Sequence, residues 1–166
     1  MKIGNKNDKL VVTDFDEIEA YIIACKIEED GIHFYKKMLE SEKSPKIIEI
    51  LDFLVKEEQR HLKLFNSRLY ELCENSDTDY DENDLLTSID YGIFKPYKDA
   101  ENLGKVINNE KRALSLGIIF ENKSVEYYTV LSENVSEEKA RSEIANIIEE
   151  EKHHKEILEN LLKKIV

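Results

Sequence analysis

Apolar residues recur along most of this chain at spacings of three and four, the mark of amphipathic helices. The first stripe runs through Ile18, Tyr21, Ile22, Ala24, Cys25, Ile27, Ile32, Tyr35 and Leu39 and predicts a helix over about 15–42. Its start is signalled by Asp14-Phe15-Asp16-Glu17, with an acceptor at the N-cap and Glu three positions on. Ser44-Pro45 then restarts the chain, Ser as N-cap and Pro at the first helical position. A second stripe, Ile47, Ile48, Leu51, Leu54, Val55, Leu62, Phe65 and Leu69, predicts a helix over 45–73. The join is so short that the two helices must form an antiparallel hairpin.

The segment from Glu74 onward breaks the pattern. It opens polar and acidic with Glu74-Asn75-Ser76-Asp77-Thr78-Asp79 and reaches Phe94-Lys95-Pro96 without a sustained stripe. It reads as one long crossover over 74–107, with a helical turn near Leu85-Leu86; the acidic run Asp77 to Asp84 reads as a solvated stretch. Helical patterning resumes over 108–133 and again over 137–165, with Ser136 as N-cap. A crossover of this length carries the chain along the bundle, so the third helix is expected to run parallel to the second. Two antiparallel hairpins joined by one long connection make an all-α, ferritin-like four-helix bundle, one domain spanning residues 1–166.

Composition narrows the classes. The 166 residues include 24 Lys and Arg against 36 Asp and Glu, a net charge of −12. That balance argues against nucleic acid as the main partner, since phosphate binding needs a basic face. No apolar stretch approaches the roughly 18 residues of a membrane span, and Met1 to Val12 has no apolar core of signal-peptide length. Cys25 and Cys73 make neither a disulfide framework nor a Cys-x-x-Cys site, so a reducing, cytoplasmic setting is expected.

The two halves repeat. Ile27-Glu28 to Phe34-Tyr35 aligns with Phe120-Glu121 to Tyr127-Tyr128, and Glu58-Gln59-Arg60-His61 with Glu151-Lys152-His153-His154, both 93 residues on and without a gap. The repeat implies an approximate internal twofold. Glu28, Glu58, Glu121 and Glu151 each fall on an apolar stripe, about 14 residues into their helices. At 1.5 Å per residue this sets all four at a common depth of about 20 Å. His61 and His154 follow Glu58 and Glu151 by three residues, on the same face. Four inward carboxylates would raise one another's pKa and largely neutralise. Two divalent metals resolve the conflict, and carboxylate with imidazole suits iron or manganese, with zinc also possible. One Glu from each of two helices plus Glu-x-x-His from each of the others is the di-iron carboxylate pattern of such bundles. Glu28 and Glu121 are assigned as terminal carboxylates, Glu58 and Glu151 as bridges, and His61 and His154 take one metal each.

The register of the last helix has an alternative, since Glu150 and His153 also form Glu-x-x-His; the repeat and the apolar stripe favour Glu151 with His154. His33 and His153 have no inward partner and read as surface residues. Tyr35 and Tyr128, two turns from the terminal glutamates, are candidates to bond carboxylate oxygens or, equally, a backbone group. Glu57 and Glu150 are candidates to hold an imidazole of a neighbouring helix, or to lie on a solvated face. Gly31 and Ser124 are small, leaving room for metal-bound oxygen species or for close helix packing. Cys25 reads as a buried thiol.

These motifs resemble the rubrerythrin branch of the ferritin-like superfamily, over roughly residues 15–165. The resemblance implies a di-iron site that reacts with hydrogen peroxide or oxygen, reduction of peroxide to water by electrons from a rubredoxin, and pairing as a homodimer, with helices exchanged in some members. Three departures matter. Two Cys in a chain ending at Val166 give no four-Cys rubredoxin domain, so a separate donor is expected. Ser124 stands where the family has a further Glu, which bears on its peroxide-linked ligand exchange. Gln59 replaces the Met of haem-binding bacterioferritins and no fifth helix follows, so neither haem nor a storage cage is expected. The leading expectation is a di-iron peroxidase. A ferroxidase that oxidises Fe(II) and passes Fe(III) on, and a metal-stabilised helical module that binds a partner, are the competing readings.

Overall fold

The computed structural model describes residues 2–6, 9–74 and 109–165. Among the described residues four helices carry the fold: α1 (Glu17–Ser41), α2 (Pro45–Glu74), α3 (Glu110–Asn134) and α4 (Glu138–Ile165). They lie within a few residues of the predicted ranges. The crossover, its acidic run and the turn near Leu85-Leu86 fall outside the described residues. Before α1 comes a ribbon that the helical periodicity does not announce. Strand β1 (Lys2–Lys6) pairs antiparallel with β2 (Lys9–Thr13), in the register Ile3 to Val12 and Asn5 to Leu10. Its one sequence signal is the run Leu10-Val11-Val12-Thr13, three of whose four residues are β-branched. Leu10 and Phe15 pack against the core, tying the ribbon to the bundle.

The helix ends follow local chemistry. Asp16, not Asp14, caps α1: its carboxylate accepts from the Glu19 amide at 2.9 Å. Asp14 instead takes a left-handed turn, with φ 53°, a conformation open to Asp because its short side chain can bond locally. The capping box is thus displaced by two residues, since a residue with positive φ cannot offer the extended N-cap geometry. At α2 the Ser44 carbonyl accepts from Ile48 at 2.9 Å and Pro45 is the first helical residue, as expected. α3 is capped by Asn109, whose side chain accepts from the Arg112 amide. At α4 the first helical carbonyl contact is from Arg141 to Glu137 at 3.0 Å, so Glu137 rather than Ser136 stands at the N-cap. The Ser136 side chain hydrogen-bonds Glu17 instead.

Contacts between the hairpins set their direction. Tyr35 on α1 meets Glu121 on α3, while Tyr128 meets Glu28. His61 on α2 meets Glu150 on α4, while Arg68 meets Glu143. In both pairs the numbers run in opposite senses. α1 is therefore antiparallel to α3 and α2 to α4, which makes α3 parallel to α2 as expected. The core is built from Ile23, Leu51, Leu54, Leu114, Leu131 and Ile144, all fully buried, and from two aromatic layers. Phe34 stacks on Phe120 with centroids 5.1 Å apart, while Tyr21, Phe65 and Tyr128 form the other layer. At one end Arg68 ties α2 to α4 through Glu143 at 2.8 Å and Glu137 at 3.2 Å. Arg68 is a polar residue on the apolar stripe, three after Phe65, and it is buried because these carboxylates meet it.

Asp16→Ala should lower the free energy of unfolding by about 1 kcal/mol. Asp14→Gly, which suits the left-handed backbone, should change it by less than about 0.5 kcal/mol. Chemical denaturation of the two variants checks which Asp is the cap.

Candidate metal centre

Glu28, Glu58, His61, Glu121, Glu151 and His154 come from four helices and are all buried. They converge midway along the bundle, between the two aromatic layers. α1 and α3 each deliver one carboxylate, and α2 and α4 each deliver a carboxylate with an imidazole one turn on. The register alternative for α4 is settled by burial: Glu151 and His154 point inward, while His153 is exposed. His33 is exposed as well.

The six side chains form two groups. Ligand atoms of Glu28, Glu58, His61 and Glu151 lie within 4.8 Å of one another, and so do those of Glu58, Glu121, Glu151 and His154. Each group could hold a metal ion, and Glu58 and Glu151 belong to both. Their two oxygens divide between the groups. Glu58 turns Oε2 toward His61 Nδ1 (3.8 Å) and Oε1 toward His154 Nδ1 (3.5 Å). Glu151 turns Oε1 toward His61 Nδ1 (3.0 Å) and Oε2 toward His154 Nδ1 (3.4 Å). Glu28 reaches only the His61 side and Glu121 only the His154 side, at 3.7 and 3.9 Å.

Around this ring the other carboxylate oxygens are held. Tyr128 of α3 donates to Glu28 Oε1, and Tyr35 of α1 donates to Glu121 Oε1. Each Tyr sits two turns past its own helix's glutamate but leans back toward the helix N-terminus, as helical side chains do, and so reaches the opposite helix's carboxylate at the same depth. Glu150 Oε2 lies 3.0 Å from His61 Nε2, which Arg60 Nη2 also approaches at 3.1 Å, and Glu150 is joined to Arg60 at 2.7 Å. Of the two readings of Glu57, an imidazole partner or a solvated face, the structure shows no imidazole contact among the described residues. Glu57 pairs with Arg60 on its own helix at 3.1 Å, because the guanidinium one turn on is nearer than any imidazole. The edge of His154 meets Phe53 instead, with centroids 6.0 Å apart and rings perpendicular. Arg60 is the residue of this outer layer that the periodicity does not reveal. It lies on an exposed face, and only the approach of α4 shows what it holds. Gly31 and Ser124 are both buried, and a Cβ at Gly31 would make ordinary contact with Glu58 at 3.6 Å. Cys25 is buried, its thiol 3.5 Å from Asn66 Oδ1.

Five polar atoms in the centre have no hydrogen-bond partner: Glu28 Oε2, His61 Nδ1, both oxygens of Glu151, and His154 Nδ1. Buried polar groups without partners are costly, and these five are all ligand atoms facing one space. Electrostatics give the same picture. Burial, then the charge of neighbouring glutamates, pushes Glu28 and Glu121 well above the usual carboxylate range. Burial acts the same way on Glu58 and Glu151, but the closeness of the two histidines and of Glu28 and Glu121 outweighs it and holds both below that range. Burial also disfavours the imidazolium ions, yet Glu151 and its neighbours overcome it, holding His61 high and pushing His154 up to about 9. In the absence of metal, burial thus favours protons on Glu28 and Glu121, and the surrounding glutamates favour protons on both imidazoles.

A ferritin-like bundle with two carboxylate and imidazole groups sharing a pair of glutamates is the architecture of the metal-carboxylate helical proteins. The family model for rubrerythrin matches residues 19–162. The chain belongs to the rubrerythrin family. No curated protein and no solved structure was found to match it. Among the described residues no helix is long and apolar enough to cross a membrane.

The proton pattern fixes a sign. Glu28, Glu121, His61 and His154 bind protons more tightly folded than unfolded, so their contribution to stability is lost as pH rises. For His154 that loss spans its ordinary 6.5 to about 9. Protein kept in chelator should therefore show a falling Tm over this interval, read by thermal melts at a series of pH values.

Proposed function

We propose that this protein is a di-iron oxidoreductase that reduces hydrogen peroxide with electrons from a separate donor protein such as a rubredoxin. The observation that carries the reading is the set of five orphaned ligand atoms facing one buried space. Glu28, Glu58, His61 and Glu151 would hold one ion, and Glu58, Glu121, Glu151 and His154 the other. The donor set, four carboxylates and two imidazoles, suits iron, with manganese next and zinc as a further occupant. Protons held in the ring would leave as divalent ions enter, since the ligands bind metal in their deprotonated forms. When bound, the pair of irons supplies two electrons to the O–O bond and Lewis-acid stabilisation of the oxide charge that develops.

The protein's own residues set the conditions. Tyr35 and Tyr128 keep their hydroxyl protons at neutral pH, because burial and the adjacent glutamates raise both phenols well above their ordinary value. They therefore hold a proton at Glu121 Oε1 and at Glu28 Oε1 and fix the orientation of those carboxylates. Reduction of peroxide to two waters consumes two protons with the two electrons, and these phenols lie at the ring where protons are needed. The aromatic layers on either side exclude bulk water, which strengthens every charge interaction inside. Ser124 is neutral and buried, so the ring has no further carboxylate at that position. Cys25 is buried and Cys73 exposed, an arrangement that suits a reducing cytoplasm, where we place the protein as a homodimer.

Two Fe(II) per chain should bind without oxygen. Stopped-flow mixing should then show oxidation much faster with peroxide than with oxygen, the iron remaining bound. Faster oxidation by oxygen with loss of Fe(III) would instead identify a ferroxidase, and failure to bind two Fe(II) would overturn the six-ligand centre. Glu58→Ala, which removes a ligand from both groups, should abolish uptake at both positions. In the loaded protein, metal binding competes with protons. Its Tm should rise rather than fall from pH 6.5 toward 9, the reverse of the chelated form.

A further inference from the structure

The 93-residue repeat is broken on one side of the ring, and the break is unequal for the two histidines. By the repeat, Glu150 corresponds to Glu57, Arg60 to His153, and Phe53 to Asn146. A symmetric centre would have Glu150 on His61 and Glu57 on His154. Only the first contact is present. Arg60 draws both carboxylates to the His61 side, lying 2.7 Å from Glu150 and 3.1 Å from Glu57. Its counterpart His153 is exposed, 3.9 Å from Glu156, and gathers nothing. Among the described residues no carboxylate bonds the Nε2 of His154, whose ring is edged by the exposed Phe53.

The difference acts on metal binding. A carboxylate that accepts Nε2–H fixes the tautomer with the Nδ1 lone pair facing the metal, locks the ring, and raises its basicity. His61 has that carboxylate, with Arg60 Nη2 also 3.1 Å from the same Nε2; among the described residues His154 has none. We propose that Glu150, braced by Arg60, is a positioning residue that makes the Glu28 and His61 side the tighter of two metal positions, so that it fills first. This rests on the metal-centre reading above. The Glu121 and His154 side is then the exchangeable position, with Phe53 as its outer cover.

The test uses Co(II), followed by calorimetry and visible absorption of the whole chain under anaerobic conditions. The wild-type protein should take up two ions in two steps. The tight step should survive in His154→Ala and be lost in His61→Ala. Glu150→Gln should weaken the tight step by about ten- to a hundredfold and leave the weaker step within about twofold. Glu57→Gln, whose side chain touches no imidazole, should change neither step. Circular dichroism of each variant confirms the helical fold. The proposal is overturned if Glu150→Gln shifts both steps equally or neither, if Glu57→Gln matches it, or if the tight step persists in His61→Ala. If wild-type protein binds two ions and Glu150→Gln is silent, this inference alone falls. If wild-type protein binds none, the metal-centre reading falls with it.

Discussion

Four carboxylates buried at one depth in an apolar core set the terms for the rest of this structure. Left ionised together they would repel one another in a medium that screens them poorly, and left unpaired each would carry a desolvation cost. Positive charge must therefore be present in the ring, as protons or as metal. The surrounding glutamates favour the protonated form of the histidines one turn along from Glu58 and Glu151, and burial favours the protonated form of Glu28 and Glu121. This arrangement satisfies charge but not geometry. Ligand atoms of Glu28, His61, Glu151 and His154 remain without partners, as they would not in a bundle whose polar core served stability alone.

Around that constraint the fold is organised by a crossed pair of contacts. Tyr35 on the first helix supports the glutamate of the third, and Tyr128 on the third supports the glutamate of the first. Each hairpin thereby holds a ligand of the other, so the centre and the interface between hairpins are one object. The seam between α2 and α4 is different in kind. It is polar, carried by Arg60 with Glu150 and by Arg68 with Glu137 and Glu143. Partly exposed ion pairs of this sort contribute little stability individually. Their consequence is positional: they decide which imidazole is braced and where the ends of the two helices meet. The inner ring is approximately symmetric and the layer outside it is not, so the two groups that could hold a metal have similar donor atoms and different supports.

Much of this is written in local pattern. Helical periodicity fixes the four helices to within a few residues, because amphipathic spacing and tertiary burial agree throughout. The six ring residues are legible because polar residues on an apolar stripe are anomalous, and here the anomaly recurs 93 residues on. Tyr35 and Tyr128 are legible as neighbours of the ring, since helix geometry fixes their distance from Glu28 and Glu121. Other features are not encoded locally. The cap at Asp16 depends on the backbone turn taken by Asp14, and either Asp satisfies the composition rule. The N-terminal ribbon competes with no helical signal and draws its anchorage from Leu10 and Phe15 against a core formed elsewhere.

The sequence by itself thus determined the bundle, the depth of the four glutamates, the pairing of each bridging glutamate with a histidine, and the charge problem that calls for cations. These follow from periods of 3.6 residues within single helices, which a linear string carries in full. Only the tertiary structure decided which oxygen of Glu58 and Glu151 faces which histidine, that each Tyr serves the opposite helix, and that Arg60 pairs with both Glu57 and Glu150 beside His61. Those outcomes depend on the rotation and offset of one helix against another. They are settled by competition among side chains far apart in the chain, where a guanidinium one turn away outbids an imidazole across the bundle.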